Sequence, residues 1–216
     1  MSAFASTQRI NDKSVTRFPK MPQPALFQPP LFASAQPSGF AYRPDVMTAA
    51  EERAWVGRIE ALPFKPFEFH GYLGKRRIVS FGWHYDYAGR ALRQSAPLPD
   101  FLEPLRDQAA AAAGVDSRAL QQALVTEYES GATIGWHRDK PMFEDVLALS
   151  FLSPCRLRLR RKRGSGWERW ASDIEPRSLY RLSGPARHEW EHSIPPVPAR
   201  RYSVTFRTFA EGRRPA

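Results

Sequence analysis

The chain has 216 residues, 42% of them hydrophobic, which supports one domain with a real core and argues against a second. Its formal net charge of +10 points to a polyanionic partner, nucleic acid first, and the lack of a long apolar stretch argues against a bilayer core as that partner. The one cysteine, Cys155, excludes an intrachain disulfide and fits a reducing, cytoplasmic setting; a monomer without an obligate protein partner is the expectation.

Residues 1–38 read as a flexible arm. They are rich in Pro, Ser, Gln and Ala, with basic residues scattered at Arg9, Lys13, Arg17 and Lys20, and no apolar signal-peptide core follows the start. The expected domain spans 39–210, with a short tail over 211–216. At Thr48 the run T-A-A-E supplies a capping box, and Trp55, Val56, Ile59 and Leu62 fall on one face of a helix that should stop before Pro63. A second helix is predicted over Glu103–Ala113, with Pro104 tolerated in its first turn and Gly114 ending it. Both helices read as buttresses against one sheet.

Between them, K-R-R-I-V-S-F-G-W-H-Y-D-Y-A-G from Lys75 reads as a strand pair in which basic and aromatic residues interleave. Alternation places Trp83, Tyr85 and Tyr87 on one face and His84 and Asp86 on the other. Chemistry on a nucleobase requires taking it from the stack and holding it against aromatic rings while cations track the phosphates. A packed aromatic strand face would carry the same pattern, and the residues alone leave both readings open.

The stretch from Tyr128 to Asp139, Y-E-S-G-A-T-I-G-W-H-R-D, ends in His137 and Asp139 two residues apart. If Ile134–Asp139 is extended, both point the same way and can line one cavity. His192, in W-E-H-S-I-P-P, is the candidate third ligand. Two His and one carboxylate on one side of a metal leave positions for a cosubstrate and oxygen, the arrangement of non-haem Fe(II) oxygenases. His84-Tyr85-Asp86 has the same spacing as the later pair, so spacing cannot choose. Context can: from Asp139 to His192 there is room for roughly five short strands, about what a two-sheet barrel needs to return to the same rim.

Beyond the pair, Val146–Leu152 reads as a buried strand. Cys155 opens C-R-L-R-L-R-R-K-R, in which Leu157 and Leu159 face inward and Arg156, Arg158 and Arg160 outward. Cys155 itself reads as a small core residue. Arg158 and Arg160, set beside an iron mouth, would grip phosphates; a solvated, charged face is the competing reading. His188 is a rival ligand to His192, but Trp190 and Ile194 flank His192 with strand alternation. In Arg201–Arg207 the residues Arg201, Ser203, Thr205 and Arg207 share one face and Tyr202, Val204 and Phe206 the other. On this strand alone solvated arginines are the simpler reading. Beside a His/Asp/His set, two guanidiniums suit the two carboxylates of 2-oxoglutarate.

The ordered set Y-x-x-G-x-x-x-x-x-H-x-D, a distant His and R-x-x-x-x-x-R resembles the AlkB-type family of Fe(II)/2-oxoglutarate dioxygenases over roughly Lys75–Phe209. The resemblance implies a mainly β, jelly-roll fold (a double-stranded β-helix) with helices on one sheet. It implies that His137, Asp139 and His192 hold Fe(II), that Tyr128 and Arg201 hold the distal carboxylate of 2-oxoglutarate, and that Arg207 supports its metal-proximal end. Thr126 and Ser203 stand where the family commonly has Asn, which removes amide geometry from two cosubstrate positions. The segment at about 72–92 is similar to the family's nucleotide-recognition lid, making Trp83, Tyr85 and Tyr87 base contacts. Pro141 stands where several AlkB-like proteins carry an acidic residue able to accept from an exocyclic amine, with Glu144 and Asp145 as the nearby carboxylates. The implied reaction is oxidative dealkylation of DNA or RNA bases with O2. Hydroxylation of a protein or small molecule is the alternative that shares every metal and cosubstrate residue.

Overall fold

A computed structural model describes residues 35–69, 72–86, 89 and 91–213; most of the expected arm, the expected base contact Tyr87 and the last three residues lie outside these. In chain order the elements are β1 (Phe40–Arg43), α1 (Ala49–Ile59), β2 (Lys65–Phe69), β3 (Tyr72–Phe81), β4 (Trp83–Asp86), β5 (Ala91–Gln94), α2 (Glu103–Ala113), β6 (Gln122–Tyr128), β7 (Ile134–His137), β8 (Phe143–Phe151), β9 (Cys155–Arg163), β10 (Gly166–Ile174), β11 (Leu179–Leu182), α3 (Gly184–His188), β12 (Glu191–Ile194) and β13 (Arg201–Phe209). A seven-stranded sheet runs β1-β11-β8-β13-β6-β3-β2 and a four-stranded sheet β10-β9-β12-β7, with β4 and β5 forming a separate ribbon. From Asp139 the chain completes four strands before reaching His192 on β12, in line with the strand count predicted from spacing. The fold is the mainly β, antiparallel jelly-roll.

The helices form where local chemistry dictates. Thr48 and Glu51 make the capping box reciprocally, with the Glu51 carboxylate accepting from the Thr48 backbone N–H at 2.7 Å. α1 ends at Ile59, so Leu62 follows the helix, yet it packs on the same core as Val56 and Ile59. α2 spans the predicted residues and stops at Gly114, whose φ of 67° is open to glycine and costly for residues with a Cβ. Its buried face is Leu105, Ala109 and Ala110, and the small alanines let the helix lie close against the sheet.

Two cores result. One lies between the helices and the outer face of the seven-stranded sheet, where Tyr202, Val204 and Phe206 of β13 join Val125, Leu147, Leu149 and Phe151. The other includes Leu157 and Leu159 of β9, Ile194, and Ala148 and Tyr180 from the facing sheet. β13 is therefore buried on both sides, and its alternation sends Arg201, Ser203, Thr205 and Arg207 toward the second core.

The expected strand pair from Lys75 to Gly89 does not form. β3 pairs with β2 and β6 inside the large sheet, whereas β4 pairs with β5. Gly82 separates them at φ 74°, and a Cβ there would lie 2.2 Å from the Gln121 carbonyl oxygen. Glycine alone permits this turn, which frees the aromatic strand from the sheet. Of the segment expected at about 72–92, β3 thus belongs to the large sheet and β4, with the start of β5, to the separate ribbon.

Candidate metal and cosubstrate centre

β7 and β12 bring the two imidazoles together. His192 is the cross-strand partner of His137, and Ile194 that of Ile134, so two steps along β12 match three along β7. The extra residue is a bulge at Gly135–Trp136, and it lets both Ile134 and His137 face inward while Trp136 turns out. β7 ends at His137, so Asp139 reaches the centre from the following loop and not by strand alternation. His137, Asp139 and His192 each present a ligand atom, all within 4.8 Å of one another; among the described residues this is the one such group of three.

The ligands are oriented by their neighbours. His137 Nδ1 lies 2.9 Å from the Gly135 carbonyl oxygen, which can only accept, so the proton sits on Nδ1 and Nε2 is left for the metal. Arg207 donates from Nε to Asp139 Oδ2 at 3.1 Å and from Nη1 to Gln122 at 2.8 Å, leaving Asp139 Oδ1 turned toward His137 Nε2 at 3.8 Å. Burial would raise the Asp139 pKa, but Arg207 and the two histidines together hold it below the usual carboxylate range. Burial, reinforced by His137, pushes His192 down to about 3. The centre thus holds a carboxylate and a neutral buried imidazole, the forms that bind a metal.

Arg201 is fully buried on the inner face of the large sheet. Its Nη2 donates to Ser150 Oγ at 2.8 Å and its guanidinium lies 4.8 Å from the Tyr128 ring centre, while Nε and Nη1 have no partner. A desolvated guanidinium with two unpartnered nitrogens is costly unless an anion completes it, so the residues fit a dicarboxylate cosubstrate. Tyr128 is the cross-strand partner of Arg201, and Thr126 that of Ser203; Ser203 also faces Ser150 on the other side. These small hydroxyl side chains lie between Arg201 and Gln122–Arg207 and floor the space.

The rival ligands fall elsewhere. His84 is on the ribbon, outside the group of three. His188 binds Glu144 through Nε2 at 2.7 Å, and Asp145 accepts from Arg181 at 3.1 Å, so both carboxylates near Pro141 are engaged away from the metal ligands. Lys140 Nζ sits 4.1 Å from the Tyr85 ring centre, which ties the ribbon to the loop that carries Asp139. Trp83 meets Phe209 edge to face at 6.0 Å. Arg158 and Arg160 are not at the iron mouth. His192 pairs with Leu159 on the inner face, so the arginines on either side of Leu159 project from the opposite face.

Sequence reasoning missed Ser150, Gln122 and Arg187. Ser150 is hidden in an apolar run and Gln122 is defined only by sheet register. Arg187, on α3, looks like one more basic residue but is buried, donating to the carbonyls of Lys140 at 2.6 Å and Phe143 at 2.8 Å. Arg138 donates back to the His188 carbonyl at 3.0 Å, so α3 and the metal loop are stitched in both directions.

Two imidazoles and a carboxylate beside a buried guanidinium awaiting an anion define a mononuclear non-haem iron oxygenase with an acidic cosubstrate. The sequence profile of the 2OG-Fe(II) oxygenase superfamily matches residues 39–207, and the chain belongs to that superfamily. It is a dioxygenase whose cofactors are Fe(II), 2-oxoglutarate and O2. It is 30% identical over 181 residues to the alkylated DNA repair protein ALKBH8 homolog of Arabidopsis thaliana, covering 73% of this chain and 51% of that protein, so it spans about half the length of that relative. Among solved structures it resembles OsALKBH1 at a TM-score of 0.62 and 15% identity over 81% of this chain and 98% of that one. A Pseudomonas putida prolyl-4-hydroxylase follows at 0.53 and 16% over 81% and 94%. At those identities the two structures speak for the fold.

Proposed function

We propose that the enzyme removes alkyl groups from nucleobases in DNA or RNA by oxidation. The observation that carries this reading is the aromatic ribbon beside the metal loop, with Tyr85 held to it by Lys140. Tyr85 and Trp83 lie on one face of β4 by alternation and offer stacking surfaces for a base drawn out of its strand.

When bound, Fe(II) with 2-oxoglutarate and O2 supplies the oxidising power: one oxygen atom enters the N-alkyl C–H bond and the other leaves in succinate, with CO2 released. The chain's own part is positional. His137 Nε2, Asp139 Oδ1 and His192 hold the metal, Arg207 fixes the carboxylate and Arg201 with Tyr128 takes the distal carboxylate of the cosubstrate. Thr126 and Ser203 line its floor. The N-hydroxymethyl product of a methylated base loses formaldehyde as its hydroxyl proton passes to the ring nitrogen, so no side chain need serve as nucleophile. With no acidic residue at Pro141, and with Glu144 and Asp145 bonded elsewhere, stacking is the main determinant and the pocket accepts cyclic adducts as well as methyl groups.

The test is succinate release with N-methylated and etheno-bridged oligonucleotides, unmodified strands, and peptide or small-molecule hydroxylation substrates. Turnover above background on both classes of alkylated base is expected. Turnover confined to a peptide or small molecule would overturn the nucleic-acid reading in favour of a hydroxylase. A hundredfold preference for one methylated amino base, about 2.7 kcal/mol, would overturn the stacking account.

A further inference from the structure

The outer face of the four-stranded sheet carries a row of alternating cations and indoles. Trp136, turned out by the β7 bulge, lies under Arg158 at 5.1 Å and Arg160 at 4.3 Å; Arg160 also sits 4.2 Å from the Trp167 ring centre and Lys162 4.6 Å from it. Strand register places Arg156, Arg158, Arg160, Lys162 and Arg169 on this face against Asp173 and Glu191, a balance of 5 − 2 = +3. Lys162 and Arg169 are exposed. Beside the row is a cleft of about 310 Å³ lined by Trp136, Arg158, Leu159, Arg169, Trp170 and Ala171, at the small end of ligand-sized clefts.

Stabilising a strand face needs no excess charge, and stacked indoles with a cationic surplus match a single-stranded polynucleotide, whose bases present π-faces and whose phosphates are anionic. A guanidinium stacked on an indole still directs in-plane N–H groups at a phosphate. We infer that this face, on the other side of the sheet from the iron ligands, binds a second stretch of the same strand, away from the base that reacts. Trp136 and Trp167 stack bases, and Arg158, Lys162 and Arg169 take phosphates. The inference rests on the nucleic-acid reading above and deepens it, assigning the arginine row to strand capture.

The experiment measures affinity of the full chain, loaded with Fe(II) and 2-oxoglutarate, for unmodified single-stranded oligonucleotides of increasing length at several salt concentrations. Wild-type affinity should rise with length. Replacing two exposed cations of this face together (Lys162→Ala with Arg169→Ala) should flatten that rise and lower the salt slope by about two units. Trp167→Ala should weaken binding of the long strands roughly tenfold. Melting curves of each variant check folding, and Lys162→Arg with Arg169→Lys should restore the slope. A double variant that melts like wild type and keeps its length dependence and slope would overturn the inference while leaving the proposed function standing. A wild-type enzyme that binds no oligonucleotide yet oxidises a peptide would overturn both.

Discussion

The two sheets solve different problems. The seven-stranded sheet is covered by helices on one face and lines the inter-sheet core with the other, and it carries the groups that must not move: Arg201, Ser150, Ser203 and Arg207. The four-stranded sheet supplies the two histidines. His137 keeps 40% of its side-chain surface exposed while His192 is buried, and the sheet's outer face remains at the surface. A buried cation needs a rigid, water-free wall to stay aimed at one anion. A metal that must exchange oxygen and substrate needs a rim. Anchoring and exchange are thus divided between the sheets.

The largest test of this division is at the rim. His137→Ala or Asp139→Ala should lose bound iron and drop turnover to background, whereas His84→Ala and His188→Ala keep iron, as read by metal analysis. Iron lost from the His84 variant and kept in the His137 variant would break the assignment.

The next effect is on acid stability. His192 has a folded pKa of about 3 against 6.5 when unfolded, so between these values the unfolded chain binds a proton that the metal-free fold excludes. Stability therefore rises with pH across that window and is lost as pH falls through it, at up to about 1.4 kcal/mol per unit. Asp139, lowered from 3.8, adds loss in the same direction below that value. Melting of chelator-treated protein from pH 7 to pH 4 should show the slope, and His192→Gln should flatten it.

On the rigid sheet, Arg201→Lys replaces a fork by a point charge and should raise the 2-oxoglutarate KM roughly thirtyfold, about 2 kcal/mol, with iron retained. Iron loss in this variant would mean that the sheets are not independent. The smallest effect belongs to the exposed face: Lys162→Ala should change stability by no more than about 0.5 kcal/mol in denaturant unfolding. A larger loss would give the cation–indole row a structural role.

Sequence alone determined what depends on near neighbours or on periodicity. The capping box at Thr48, the stop at Gly114, the two-faced alternation of Arg201–Arg207 and the inward Leu157 and Leu159 are set within a few residues. The interval from Asp139 to His192 favoured these ligands because strand lengths vary little. Tertiary structure decided whatever depends on a partner far along the chain. His84-Tyr85-Asp86 repeats the metal spacing, and only pairing with β5 removes it. Arg158 and Arg160 alternate in the same way whether the iron lies before or behind them, and the pairing of Leu159 with His192 places it behind. Asp139 reaches the centre by a loop because the β7 bulge, visible only in register, uses up the alternation. Arg187 gained its role when α3 folded under the metal loop, burying a guanidinium that its sequence neighbours leave in water. Local sequence encodes which side chains share a face, whereas what that face meets is a free energy of packing between distant segments, which no short stretch contains.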